Sequence, residues 1–223
     1  MSLKQIAVYG AGGFGRELAW LVQSCNDVEH RYELVCFIDD NQDLHGGILN
    51  ELRIFGLQQA HRAFPKARVV CGVGIPRTRE TIVNKAREMG FNFEAVIHPR
   101  VERSQWIDIG EGAIICAGNI LTTNITIGRH VHINLDCTIG HDVRIGDYST
   151  LAPGVHVSGY VYIGSRVYVG TGAVFVNGTE SEPLVIGDDV TIGAGACVTR
   201  SIEAGQTVVG VPARPISQVG NQG

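Results

Sequence analysis

Residues 139–170 read IGHDVRIGDYSTLAPGVHVSGYVYIGSRVYVG, and an aliphatic side chain returns at every sixth position: Ile139, Ile145, Leu151, Val157, Ile163 and Val169. Backward from Ile139 the register runs on through Ile133, Ile127, Leu121, Ile115 and Ile109. Glycine often follows, as at Gly128, Gly140, Gly146 and Gly164, and a small or β-branched residue stands four places on, as at Cys137, Val143 and Val155. A period of six matches neither the helical nor the strand period. It is the hexapeptide signature of a parallel β-helix, in which each hexad is a short strand plus a corner with the aliphatic residue inside. The register breaks at 177–183, as a loop leaving the coil would, and resumes at Ile186, Ile192, Val198 and Ala204.

Three hexads make one coil, so residues about 18 apart stack one strand spacing from each other, roughly 4.8 Å. His141 then lies beneath Gly159 and above Thr123, His132 stacks with Thr150, and Asn124 with Asp142. A histidine, a carboxylate and an exposed glycine backbone meet at one corner.

Ahead of the repeat the pattern changes. Gln5–Tyr9 is an apolar strand running into the turn Gly10-Ala-Gly-Gly-Phe-Gly15 and a helical pattern from Arg16. A second strand, Glu33–Ile38, ends at Asp39 and Asp40, and a third, Ala67–Cys71, ends at Gly72-Val-Gly74. Pro76–Met89 reads as a helix, with proline at its start and Gly90 past its end. Phe91–Ile97 reads as a last strand. Alternating strands and helices predict a parallel sheet. Glycines at a strand-to-helix turn admit a phosphate to the free N–H groups of the helix start, and acidic residues after the second strand accept from a ribose or base. Only about 98 residues precede the repeat, so a nucleotide-sized ligand fits better than a whole dinucleotide. The expected division is 1–98 as an α/β nucleotide-binding domain, 99–216 as the β-helix and 217–223 as a tail.

Composition narrows the function. With 223 residues, 44% hydrophobic and 18% charged, this is a folded globular chain. A net charge of −4 without a basic run argues against nucleic acid as partner. No apolar run approaches the roughly 18 residues of a membrane span, and no signal peptide opens the chain. The six cysteines form no C-x-x-C pair and read as free thiols of a cytoplasmic protein. A zinc site of histidines five apart, as some β-helix trimers carry, finds no such pair here, so no metal is expected.

The motifs Y-G-A-G-G-F-G-R-E, F-I-D-D, V-G-I-P-R-T-R, I-G-H-D-V-R-I-G-D and V-G-V-P-A-R-P, spread from Ile6 to Pro215, resemble those of the PglD/NeuD-like sugar acetyltransferases. The resemblance implies that 1–98 is a Rossmann-like nucleotide-sugar-binding domain, followed by a left-handed parallel β-helix, assembled as a homotrimer with active sites between subunits. It implies acetyl-CoA as co-substrate and an amino group on a nucleotide-linked sugar as acceptor, in bacterial glycan biosynthesis. Carried onto this chain, it makes His141 the general base, Asp142 its orienting partner and Gly159 the donor to the acetyl oxygen. Acetyl-CoA contacts fall at Thr150, Thr171 and Ala194. Nucleotide-sugar contacts fall at Gly12, Gly13, Phe14, Asp39, Asp40 and Gly74, with Asn134 a further candidate beside the base.

The chemistry agrees. A sugar amine arrives protonated and must lose a proton to attack a thioester, a task suited to a histidine titrating near neutrality. Two other readings stand beside N-acetylation: O-acetylation of a sialic acid or other sugar, and a non-catalytic module that binds a nucleotide sugar and regulates a partner enzyme.

Overall fold

The computed structural model describes residues 3–216, so the expected tail 217–223 lies outside the described residues. Strand β1 (Lys4–Tyr9), helix α1 (Gly13–Val28), β2 (Tyr32–Ile38), the hairpin β3 (Ile48–Leu49) and β4 (Leu52–Phe55), α2 (Leu57–Ala63), β5 (Arg68–Cys71), α3 (Pro76–Glu88) and β6 (Asn92–Phe93) build the N-terminal unit. Its sheet order is β3-β4-β2-β1-β5-β6, parallel apart from β3. Alternation along β1 decides what each face carries. Ile6 and Val8 pack with Leu18, Leu21 and Val22 of α1, whereas Ala7 and Tyr9 pack with Leu57, Ala60, Val83 and Ala86 of α2 and α3.

The segment expected as one strand, Phe91–Ile97, divides. Asn92–Phe93 pairs with β5, but β7 (Val96–Ile97) pairs with Ile114–Ile115 and opens the solenoid. Apolar residues recur to the end of the segment F-N-F-E-A-V-I with no glycine or proline between them, so no turn residue marks the change of partner.

From β7 onward short strands, parallel except for the last (Arg214–Pro215), stack into three sheets of eight, six and five strands. The step between stacked partners is 18 residues, as in Ile114↔His132, His132↔Thr150 and Thr150↔Tyr168. From Ile115 to Val169 the residues of the aliphatic register are at most 3% exposed and form one continuous core with the small residues four places on. Corners come from backbone conformation: every sixth residue from Gly112 to Gly172 has positive φ, and the non-glycine members are Asn124, His130, Asp136, Asp142, Tyr148, Tyr160 and Arg166. Asn and Asp tolerate this region better than most residues.

The break at 177–183 is a five-residue insertion, since Ile163 pairs with Ile186 rather than with a residue 18 on. The last coil shortens instead: Ile186 bridges Ile202 and Thr191 pairs with Thr207. Ala204, expected inside, is therefore exposed, and Ile202 and Val208 fill the interior.

One solenoid sheet is covered by the N-terminal unit. Outward residues Ile114, His132 and Thr150 are buried beneath it, while Ile120, Arg144 and His156 on the other two sheets stay exposed. The described cysteines are free thiols. Burial pushes Cys36 and Cys116 up to about 12 and Cys71 and Cys137 up to about 11, so these four stay protonated at neutral pH and are no nucleophiles.

Candidate active site

The corner following strand Thr138–Ile139 presents His141 and Asp142 side by side. His141 Nδ1 lies 2.9 Å from Asp142 Oδ2, and both side chains are partly exposed. The left-handed backbone of Asp142 (φ 57°) turns the chain here, and Asn124 Nδ2 reaches the other carboxylate oxygen at 3.4 Å from one coil before. A carboxylate on Nδ1 keeps the proton there and leaves Nε2 with its lone pair. Nε2 is directed at the next coil: a Cβ built on Gly159 would stand 2.6 Å from it. No hydrogen bond among the described residues uses the Gly159 N–H, which leaves a donor beside the free nitrogen. Tyr160 packs edge-on to the imidazole with centroids 5.1 Å apart and donates its backbone N–H to the His141 carbonyl. Tyr160 belongs to none of the sequence motifs, although its place one coil above Asp142 follows from the 18-residue step.

Thr171 and Ala194 share a different corner, after strands Tyr168–Val169 and Thr191–Ile192. Both are exposed, and Thr171 O accepts from the backbone N–H of Gly195 next to Ala194. Thr150 does not join them. It is 2% exposed, and its hydroxyl donates to Gly74 O at 2.7 Å and accepts from Arg79 Nη2 at 2.9 Å. Thr150, expected at acetyl-CoA, lies instead on the strand face that the N-terminal unit covers. Asn134 is also elsewhere than expected. It follows strand His132–Ile133, at another corner than His141, and its Nδ2 donates to Leu151 O at 2.9 Å. Its side-chain amide serves the coil ladder.

The glycines of the N-terminal turn separate into two kinds. A Cβ on Gly15 would stand 1.8 Å from Gly10 O, and one on Gly72 would stand 2.7 Å from the Gly15 Cα. These let β1, α1 and β5 approach one another. Gly12 and Gly74 meet nothing within 4 Å, and Gly13 meets only the tip of Arg16. They face open space, and the three are the glycines expected to contact the nucleotide sugar. No side chain caps α1 and no acidic residue occupies its first turn, so its N-terminal N–H groups remain available to an anion.

Asp39 closes this turn by accepting from the N–H of Ala11 at 2.8 Å and of Asn41 at 2.9 Å. Asp40 accepts from the Tyr9 hydroxyl at 2.8 Å and pairs with Lys85 at 2.6 Å. Both border a cleft of about 720 Å³ shared with Gln42, His45, Gln59 and Lys85. Phe14 packs against His132 of the solenoid, with centroids 5.2 Å apart. Among the described residues no group of His, Cys, Asp and Glu could hold a metal, and no helix is long and apolar enough to cross a membrane.

Known proteins carry the same architecture. Residues 5–86 match the PglD N-terminal domain. The GDP-perosamine N-acetyltransferase of Escherichia coli O157:H7 is 35% identical over 95% of this chain and 96% of its own length. The acetyltransferase domain of PglB from Neisseria gonorrhoeae, solved with acetyl coenzyme A, superposes with a TM-score of 0.84 at 29% identity, covering 96% of this chain and all of that one. A variant of the perosamine N-acetyltransferase of Caulobacter crescentus, solved with CoA and GDP-perosamine, gives a TM-score of 0.86 at 26% identity over 97% of this chain and 99% of its own. The chain thus belongs to the PglD-type nucleotide-amino-sugar N-acetyltransferases, acetyl-CoA-dependent enzymes in which a Rossmann-like domain precedes a left-handed parallel β-helix.

Proposed function

We propose that His141, Asp142 and Gly159 carry out transfer of the acetyl group to the amine of a GDP-linked 4-amino sugar. GDP-perosamine is the first acceptor to test, because it is the sugar named for the Escherichia coli relative that matches nearly the whole chain. The observation that carries the reading is the placement of His141, with Nδ1 on Asp142 at 2.9 Å and Nε2 beside the Gly159 backbone.

In this reading the nucleotide lies across the open glycines Gly12, Gly13 and Gly74, beside Phe14 and the Asp39–Asp40 edge of the cleft. The pantetheine arm of acetyl-CoA runs along the Thr171–Ala194 corner. The ammonium form of the acceptor loses one proton to solvent. The free amine attacks the thioester carbonyl while Nε2 of His141 takes its second proton. The Gly159 N–H holds the oxyanion, and collapse expels the CoA thiolate, which receives the proton from His141. No covalent enzyme intermediate forms.

His141 and Thr171 stand at different corners of one solenoid. Assembly as a trimer, in which the donor corner of one subunit faces the base of the next, brings them together. The enzyme is read as cytoplasmic and as serving polysaccharide biosynthesis. The experiment is thiol release from acetyl-CoA against GDP-, UDP- and dTDP-linked 4-amino sugars, with sialic acid and CMP-sialic acid as hydroxyl acceptors. Turnover on one amino sugar supports the reading. Turnover only on a sialic acid overturns it.

A further inference from the structure

Arg79, the last residue of V-G-I-P-R-T-R, is 0% exposed and, among the described residues, makes no ion pair with a carboxylate. Its Nη1 reaches Val73 O at 2.8 Å, Gly74 O at 3.1 Å and His132 Nδ1 at 3.0 Å. Its Nη2 reaches Tyr148 O, Ser149 O at 3.1 Å and Thr150 Oγ1 at 2.9 Å. Burial lowers it to about 10, so the guanidinium is still charged at neutral pH. Holding a cation in the interior on neutral acceptors is expensive. An apolar contact between the two units would hold them together at lower cost.

What the polar arrangement supplies is position. One nitrogen of the planar fork serves the loop after β5 together with His132, the other serves the Tyr148–Thr150 stretch of the solenoid, and an ammonium could not satisfy all of these directions. Thr150 adds a direct hydrogen bond from the solenoid to Gly74 O at 2.7 Å. His132 accepts from Arg79 on one edge of its ring and packs against Phe14. Both carbonyl-bearing and aromatic ends of this chain of contacts, Gly74 and Phe14, are positions assigned above to the nucleotide sugar. The Gly74 carbonyl is held, while the side a Cβ would occupy stays open.

We propose that Arg79, Thr150 and His132 are positioning residues that fix the Gly74 loop and Phe14 on the solenoid, so that the acceptor site is set by the β-helix and not by the N-terminal unit alone. This rests on the acceptor site proposed above. It goes beyond that reading by assigning three residues that touch neither substrate and by making acceptor affinity depend on solenoid side chains.

The test uses the full-length enzyme with Thr150→Val, which keeps the volume and removes the hydroxyl, Thr150→Ser, which restores it, and Arg79→Lys. Thr150→Val should raise KM for the amino sugar about five- to tenfold, the effect of one lost buried hydrogen bond, with a smaller effect on kcat and none on KM for acetyl-CoA. Thr150→Ser should return KM to within about twofold of wild type. Arg79→Lys should exceed Thr150→Val in the same direction; if it fails to fold, the threonine pair still decides. A rise in KM for acetyl-CoA, or an unchanged acceptor KM in Thr150→Val, would overturn the proposal. Calorimetric titration with GDP, UDP and dTDP alone separates this from failure of the functional reading. Wild type that binds a nucleotide but acetylates no amino sugar sinks the reading. Equal nucleotide affinity of wild type and Arg79→Lys sinks the positioning role.

Discussion

The imidazole of His141 occupies the space a side chain on Gly159 would need: a Cβ there would stand 2.5 Å from Cε1 and 2.6 Å from Nε2. Stacking one coil above the other thus seats the imidazole against the Gly159 backbone, in space that is open only because the upper residue is glycine.

Gly159→Ala should therefore be a catalytic lesion and not a folding one. The colliding ring is half-exposed and can swing away from the methyl group at little cost, so Tm should stay within about 1 °C, below the roughly 2–4 °C that 1 kcal/mol shifts a chain of this size. The displaced base should lower kcat by about 10²-fold, comparable to loss of one oxyanion donor. Thermal melting and steady-state rates on the same preparation check both halves.

Asp142→Asn keeps the shape of the side chain but turns a pure acceptor into a group that can donate to Nδ1, which favours the wrong tautomer. The carboxylate is a third exposed, so the loss should be milder than in a sealed triad, about 10- to 10²-fold in kcat/KM. Loss of less than about twofold would place the orienting role elsewhere.

The two kinds of glycine in the N-terminal turn should respond oppositely to alanine. Gly15→Ala drives a methyl group into the Gly10 carbonyl and should destabilise the chain by roughly 2 kcal/mol or more in urea unfolding. Gly12→Ala meets no neighbour, so stability should hold while KM for the nucleotide sugar rises. Equal effects of the two on stability would contradict the division.

Acid should weaken the seam between the two units. His130 and His132 are fully buried; desolvation first, then Arg79 for both and Arg87 for His130, push His130 down to about 3 and His132 well below its usual value. Asp147 opposes the shift at His130 without cancelling it. Both rings are neutral in the folded chain, so between about pH 6.5 and 3 the unfolded chain binds more protons and stability rises with pH. It is complete above about pH 6.5 and should fall by about 3 kcal/mol for the pair between pH 7.5 and 5.5. Urea unfolding at the two pH values measures this, and His130→Phe should show about half the difference.

Much of this is legible in the sequence alone. The interior of a solenoid is the same at every coil, so a strict six-residue register identifies it, and the 18-residue step by itself puts His141 under Gly159 and Asn124 beside Asp142. What the repeat does not encode is which of its three sheets another unit covers. Thr150 and His132 look like any other outward residue of their strands, yet both are buried under the N-terminal unit, Thr150 against the loop after β5 and His132 against Arg79 and Phe14. For the same reason Arg79 carries no signal of its own, because its acceptors lie 53 to 71 positions away as well as nearby. Val96 and Ile97 read as a continuation of the preceding strand because apolar content does not say which sheet a strand joins. Ala204 keeps the six-residue count but loses the interior where the last coil shortens to a step of 16, Ile186 to Ile202.

The most direct test of the account is the initial rate of acetyl transfer from acetyl-CoA to GDP-perosamine by wild type and by His141→Ala, with the product identified by mass and the variant shown to melt as wild type does. The account predicts an N-acetylated sugar nucleotide from the wild type and a loss of at least about 10²-fold in kcat with the variant. A variant that keeps the wild-type rate, or a folded wild type that acetylates no nucleotide-linked amino sugar, would contradict it.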